Sequence, residues 1–286
     1  MQQSIQWFPG HMTRTKRKIT QLLPLVDIVV EVVDARIPQS SRNPDLDTLL
    51  AKKPRMIVLN KADIADESAT AQWLQEFRRQ GYAAMTLDCK NGKGIQRFVP
   101  LMREVLADKI AVWKEKGMEG RPIRAMVVGI PNSGKSSLIN RLAKGGKAKV
   151  EDRPGVTRDQ KWFVIDGGVQ LLDTPGVLWP KFEDQTVAAR LAFTGAIRDE
   201  ILDKEELAYE LTKVLVSGYE EQLRTRYKLE GELPDDAWEV LQLIGRKRGM
   251  LVSGGEVDTL RASVMLLDEY RAGKLGRITL DRAQAR

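Results

Sequence analysis

Residues 125–136 read Ala-Met-Val-Val-Gly-Ile-Pro-Asn-Ser-Gly-Lys-Ser, an apolar run that stops at Gly129 and passes through a short loop into Gly134-Lys135-Ser136. A buried strand, a glycine-bearing loop and then a helix is the setting of a phosphate-binding P-loop. The first N–H groups of a helix have no intrahelical acceptor, so the loop and the helix start together offer donors to phosphate oxygens. On this reading Ser133, Gly134 and Ser137 contribute phosphate contacts and Lys135 neutralises the outer phosphates. The Ser136 hydroxyl takes a Mg2+ coordination position.

The same texture extends on both sides. Short β-branched runs at 26–33, 56–59 and 85–87 predict further buried parallel strands, and 68–80, 95–106 and 135–142 predict helices between them. That order predicts a doubly wound α/β domain over residues 1–180. Residues 162–165 and 170–172 add an antiparallel edge pair that turns at Gly167-Gly168. After Trp179-Pro180 helical periodicity takes over, at 187–196, 204–216, 236–244 and 257–270, with Gly245 and Gly273 at expected helix ends. Residues 181–286 are therefore expected to form a second, small, all-helical domain.

Composition sets the class. The 286 residues are 42% hydrophobic and 30% charged, as in globular proteins rather than disordered or membrane-embedded ones. No apolar run has the length of a membrane span, and the amino-terminal residues lack a basic stretch followed by an apolar one, so the expected location is cytosolic and away from membranes. With Cys89 as the one cysteine, an internal disulfide and a thiolate metal cluster are excluded, in keeping with a reducing compartment. The net charge of +7 is uneven: residues 1–180 hold 29 Lys and Arg against 19 Asp and Glu, residues 181–286 hold 17 against 20. A basic domain beside a mildly acidic one fits a polyanionic partner, and equally an ordinary solvated surface.

Two further motifs narrow the nucleotide. Asp173-Thr-Pro-Gly176 lies 44 residues beyond Gly129, after an apolar run, where Asp173 can hold Mg2+ through water and the Gly176 N–H can reach a γ-phosphate. Asn60-Lys61-Ala62-Asp63 ends the run 56–59. An aspartate there can accept from both N1–H and N2–H2 of guanine, a donor pair adenine lacks, while the Lys61 stem can lie along the ring. At the next strand end, Asp88-Cys89-Lys90 is similar to a Ser-Ala-Lys element whose backbone N–H reads guanine O6, with Asp88 a departure from the serine.

Together these motifs resemble the signature sequences of TRAFAC GTPases in permuted order, since Asn60 precedes Gly129 by 69 residues. A parallel sheet binds at the carboxyl ends of its strands, so joining old termini and opening another loop preserves the site. Phe8-Pro-Gly-His-Met12, Asp34-Ala-Arg-Ile-Pro38, Ser41-Arg-Asn-Pro44, Pro154-Gly-Val-Thr157 and Asp173-Thr-Pro-Gly-Val-Leu-Trp-Pro180 add a closer likeness. From Ile5 to Leu280 the chain resembles the ribosome biogenesis GTPase A family of circularly permuted GTPases.

The resemblance implies a GTP-hydrolysing assembly factor of the large ribosomal subunit, slow alone and stimulated by the subunit, with GTP and GDP as ligands. It implies that the helical domain binds ribosomal RNA and that Thr157 senses the γ-phosphate and Mg2+; read locally, Thr157 is also compatible with a turn residue. Asn132, by the same likeness, helps seat a K+ ion, or else only shapes its loop. Val177 follows the Asp-Thr-Pro-Gly motif where many GTPases carry a water-orienting glutamine. The resemblance assigns that role to His11, the one histidine of the chain, with an interfacial or RNA-contacting side chain as the other reading. An aliphatic Val177 is expected to keep the site dry. Arg14, Lys16, Arg17 and Lys18, then Lys144, Lys147 and Lys149, and Arg246-Lys-Arg248 are candidate phosphate contacts for RNA. The chain is expected to act as a monomer. The rival reading is a nucleotide-gated protein-binding switch with no RNA partner.

Overall fold

The computed structural model describes residues 11–144, 150, 151, 161–179, 182 and 184–283, and of 11–14, 144, 150 and 151 the backbone alone. These divide into two compact units, one holding the described residues through 179 together with 281–283, the other holding 182 and 184–280.

The first unit opens with α1 (His11–Leu22), followed by β1 (Ile28–Asp34), α2 (Pro44–Leu49), β2 (Arg55–Asn60), α3 (Glu67–Arg79) and β3 (Ala83–Thr86). Then come α4 (Phe98–Val105), α5 (Ala107–Glu115), β4 (Ile123–Val128), α6 (Lys135–Lys144), β5 (Val150–Glu151), β6 (Trp162–Ile165) and β7 (Val169–Asp173). The strands form one sheet in the order β3-β2-β1-β4-β7-β6-β5. β1 pairs in parallel with β2 and β4, and β4 with β7, whereas β6 runs antiparallel to both its neighbours. The expected antiparallel pair exists, but only part of it lies toward the edge: β7 sits inside the sheet beside β4, and β5 forms the outer strand.

Every residue of β1 is buried, which is why its run is apolar rather than alternating. Ile28, Val30 and Val32 pack with Met56, Val58, Phe98 and Leu138 on one face, covered by α4 and α6. On the other face Val29 packs with Ile19, Leu46 and Met126 beneath α1 and α2, and Val33 with Trp73 and Phe77 of α3. Glu31 interrupts the apolar strand at 1% exposure, and Arg42 and Arg55 each meet its carboxylate at 3.2 Å. A buried carboxylate persists when paired in this way.

The tail at 281–283 closes this unit. Asp281 accepts from the Ser40 N–H at 2.6 Å and the Ser40 hydroxyl at 2.7 Å, and its carbonyl accepts from Trp73 Nε1 at 3.1 Å. Asp281→Ala leaves two buried donors without that acceptor, and the expected loss is about 1–3 kcal/mol of stability. Urea unfolding followed by tryptophan fluorescence measures it; an unchanged midpoint would mean that other groups satisfy Ser40.

The second unit holds α7 (Gln185–Phe193), α8 (Lys204–Tyr227), α9 (Ala237–Lys247) and α10 (Thr259–Arg271). An aspartate caps each one: Asp184, Asp203, Asp236 and Asp258 accept from backbone N–H groups of the first turn. Two expectations are corrected. α8 runs to Tyr227 rather than 216, kinking at Tyr219 and resuming because Leu223 and Tyr227 continue its buried side. Gly245 lies within α9, where a Cβ would come within 2.5 Å of Val257 Cγ1; close packing, not the helix end, requires glycine there. No helix among the described residues is long and apolar enough to cross a membrane.

Candidate functional site

Three strand ends meet at the carboxyl side of the sheet. β4 leads into the loop at 129–134 and then into α6, whose first residue, Lys135, is 7% exposed. Lys135 Nζ donates to the Ile130 carbonyl at 2.8 Å, and Ser133 Oγ donates to the same oxygen at 3.0 Å. Burial pushes the Lys135 ammonium down to about 8, with Asp173 opposing the shift. A desolvated cation at a helix N-terminus is poised for an anion, whose charge would raise the lysine pKa back toward its ordinary value. Asn132 has φ +58°, a left-handed conformation that asparagine tolerates.

Asp173 ends β7 opposite Val127 of β4. Burial raises its carboxyl pKa against the pull of Lys135, and Oδ1 is buried with no hydrogen-bond partner among the described residues. An orphaned carboxylate oxygen beside the phosphate loop fits a hard divalent cation. Among the described residues no three His, Cys, Asp or Glu side chains converge on a metal position, so a cation here would draw its remaining ligands from the Ser136 hydroxyl, phosphate oxygens and water.

The segment after Asp173 lies against the P-loop. Thr174 Oγ1 donates to the Val127 carbonyl at 2.6 Å, Val177 N–H donates to the Gly129 carbonyl at 3.1 Å, and Gly176 packs so closely on Pro131 that a Cβ would sit 2.7 Å from its nitrogen. Val177 itself is 1% exposed and packs with Ile19, Val128 and Leu172. Its side chain anchors the segment in the core.

β2 supplies the base end. Asn60 Nδ2 donates to the Ser133 carbonyl at 3.0 Å, tying the Asn-Lys-Ala-Asp strand end to the phosphate loop. A Cβ on Gly134 would lie 2.0 Å from that nitrogen, at φ +98°, so only glycine permits the approach. Lys61 Nζ reaches Asp34 Oδ2 at 2.9 Å, and Arg36 binds both oxygens of the same carboxylate. Burial alone would raise the Asp34 pKa, but Arg36 and then Lys61 hold it well below the usual carboxylate range. Ala62 N–H donates to the Leu87 carbonyl at 3.2 Å, and half-buried Asp63 makes no side-chain hydrogen bond among the described residues.

The loop at 88–92 accounts for the departure from serine. Asp88, 5% exposed, accepts from the Lys90 and Asn91 N–H groups at 2.8 and 2.9 Å and from Asn91 Nδ2 at 2.6 Å. Asp88 N–H donates to the Lys93 carbonyl and Gly92 N–H to the Asp88 carbonyl. Of residues 88–92, Cys89 alone keeps an N–H without an acceptor among the described residues. One backbone donor of this loop is thus left without a partner among the described residues. The Cys89 thiol is pushed up to about 12, by burial first and Asp88 second, so it stays protonated and acts as a small space-filling group.

Ser136 and Ser137 are exposed in the first turn of α6. Residues 152–160, including Thr157, lie outside the described residues, as do Lys147, Lys149 and the side chains of His11, Arg14 and Lys144; the His11 backbone begins α1. Of the other basic candidates, Lys16 pairs with Asp45 and Arg248 with Glu269, whereas Arg17, Arg246 and Lys247 are exposed. Sequence reasoning missed the Asp34–Lys61 ion pair and Arg141, which donates to the Lys90 carbonyl. Asp34 was visible as part of a motif without a role, and Arg141 carried no signal beyond its place on an amphipathic helix.

A 50S ribosome-binding GTPase family model matches residues 124–228. The chain is 50% identical to ribosome biogenesis GTPase A of Priestia megaterium over 279 residues, spanning 97% of this chain and 96% of that protein. It is 47% identical to ribosome biogenesis GTPase A of Bacillus cereus over 277 residues, spanning 97% and 93%. The solved GDP-bound structure of TM YlqF superposes with a TM-score of 0.66 at 30% identity, covering 94% of this chain and 100% of that one.

Proposed function

Because the chain belongs to the ribosome biogenesis GTPase A family, with half its residues identical to a near full-length relative, we propose that it binds the immature large ribosomal subunit and hydrolyses GTP to time late maturation and its own release. The observation that carries the nucleotide half of this reading is the Asn60–Ser133 hydrogen bond, which joins a base-reading strand end to a phosphate loop. The ribosomal half rests on the family.

In this reading Asp63 takes the N1–H and N2–H2 of guanine, Cys89 N–H donates to O6, and Lys61, steadied by Asp34, lies along the ring with Ala62 and Lys90 completing the base pocket. Lys135 and the N–H groups of Ser133, Gly134, Ser136 and Ser137 hold the phosphates. Ser136, Asp173 through water, and Thr157 would hold Mg2+, which when bound neutralises charge on the phosphoryl oxygens. Gly176 N–H reports the γ-phosphate, its close packing on Pro131 holding it against the phosphate loop. His11 orients the attacking water. Residues through 180, joined by the tail from Asp281, act as the GTPase domain and 181–280 as the part that binds ribosomal RNA, with exposed Arg246 and Lys247 as phosphate contacts. The protein works as a cytoplasmic monomer.

Sedimentation with large subunits tests the whole. Co-sedimentation is expected with a non-hydrolysable GTP analogue and release with GDP; equal binding in both states would refute nucleotide-timed release. Asn132 is proposed to help seat K+, so hydrolysis should run several-fold faster in KCl than in NaCl at equal ionic strength. Asn132→Ala should erase the difference, and equal wild-type rates in the two salts end the K+ proposal.

A further inference from the structure

The guanine-reading loop has a support outside itself. Asp88 closes residues 88–92 from within, but its carboxylate is spent on Lys90 and Asn91 and fixes only the loop's own shape. Arg141 supplies the outer hold. Its Nη2 donates to the Lys90 carbonyl at 2.6 Å, and the guanidinium lies against Gly92, 3.1–3.2 Å from where a Cβ would stand. Arg141 Nε is buried with no acceptor among the described residues, a costly placement.

Arg141 sits on α6, six residues after Lys135. At the rise of a helix that is about 9 Å along the axis, comparable with the distance from the phosphates of a nucleotide to its base. One helix therefore presents donors to the phosphates at its first turn and grips the base loop from its second. We propose that Arg141 is a positioning residue for guanine recognition: by holding the Lys90 carbonyl to the phosphate-binding helix it fixes the Cys89 N–H where O6 of the base arrives. The role rests on the guanine site proposed above. It makes O6 reading depend on α6 rather than on the base loop alone. A phosphate-driven shift of α6 is then felt at the base.

The test compares GTP with 6-thio-GTP, which replaces O6 by a poor acceptor yet keeps the N1–H and N2–H2 that Asp63 reads. Equilibrium binding to the full chain is measured for wild type, Arg141→Ala and Arg141→Lys, with ATP as a control. Wild type is expected to prefer GTP to 6-thio-GTP roughly tenfold, the worth of one hydrogen bond to a fixed donor. Arg141→Ala should weaken GTP binding about tenfold, barely change 6-thio-GTP binding and bring the ratio close to one while still excluding ATP. Arg141→Lys, which keeps a donor for the Lys90 carbonyl, should recover part of the ratio. A general loosening of the fold would weaken both nucleotides alike, and that result, or an unchanged ratio, overturns the inference. Failure of the wild type to distinguish GTP from ATP would instead remove the guanine site itself.

Discussion

Asp63→Asn is expected to weaken GTP binding on the order of 10³-fold and to transfer preference to the xanthine nucleotide, because the site's selectivity rests on paired donors meeting a carboxylate. Asp63 is half-buried and makes no side-chain hydrogen bond among the described residues, so both oxygens are available to a ligand. The amide of asparagine accepts from N1–H but turns its NH2 group on the guanine N2–H2. Xanthine has a carbonyl at that position and restores the match. The fold should tolerate the change, since the tie between strand end and phosphate loop is made by Asn60. Competition binding with GTP, XTP and ATP measures it. A variant that keeps GTP and rejects XTP would show that some other group reads the base.

His11→Ala is expected to leave GTP affinity nearly intact and to cut the subunit-stimulated hydrolysis rate on the order of 10²-fold, the range for a lost water-orienting or proton-transfer group. Val177 cannot orient the water, because its side chain is aliphatic and packed in the core. The His11 backbone begins α1, whose Ile19 and Leu22 are buried beneath the sheet face that also holds Val177. The His11 backbone thus stands at the first residue of an anchored helix. Hydrolysis without subunits should fall less. Single-turnover rates with saturating subunits, paired with a docking assay, separate the two effects. Normal docking with a wild-type stimulated rate would leave His11 a surface or RNA-contacting side chain.

The tail residue Asp281 and the helix residue Arg141 show why part of this molecule was hidden from a linear reading. Asp281 serves Ser40, 241 positions away, and Arg141 serves Lys90, 51 away. Neither residue type is rare, and no local pattern marks it. Asp88, a departure from its motif, closes the loop with a carboxylate that accepts three hydrogen bonds. Gly245 and Val177 escaped a linear reading for the same reason: what each does depends on Val257 in one case and on Ile19 and Leu172 in the other.

The parallel strands β1 to β4, the helices α3, α4 and α6 among them, the P-loop pattern and the start of a helical region near 180 were legible in the sequence alone, whereas α1, α2, α5 and β5 were not foreseen. The legible elements rest on interactions a few residues long: burial on both faces of a strand, orphan N–H groups at a helix start, carboxylate caps such as Asp203 and Asp236. Tertiary structure alone decided which strand ends share a site, that Asn60 reaches Ser133, that Asp34 steadies Lys61 and that the Cys89 N–H is left without an acceptor among the described residues. Those outcomes follow from the placing of β1 between β2 and β4, which brings chain segments separated by dozens of residues within hydrogen-bond distance. Hydrogen bonds act over about 3 Å, and only the assembled sheet sets which groups come that close.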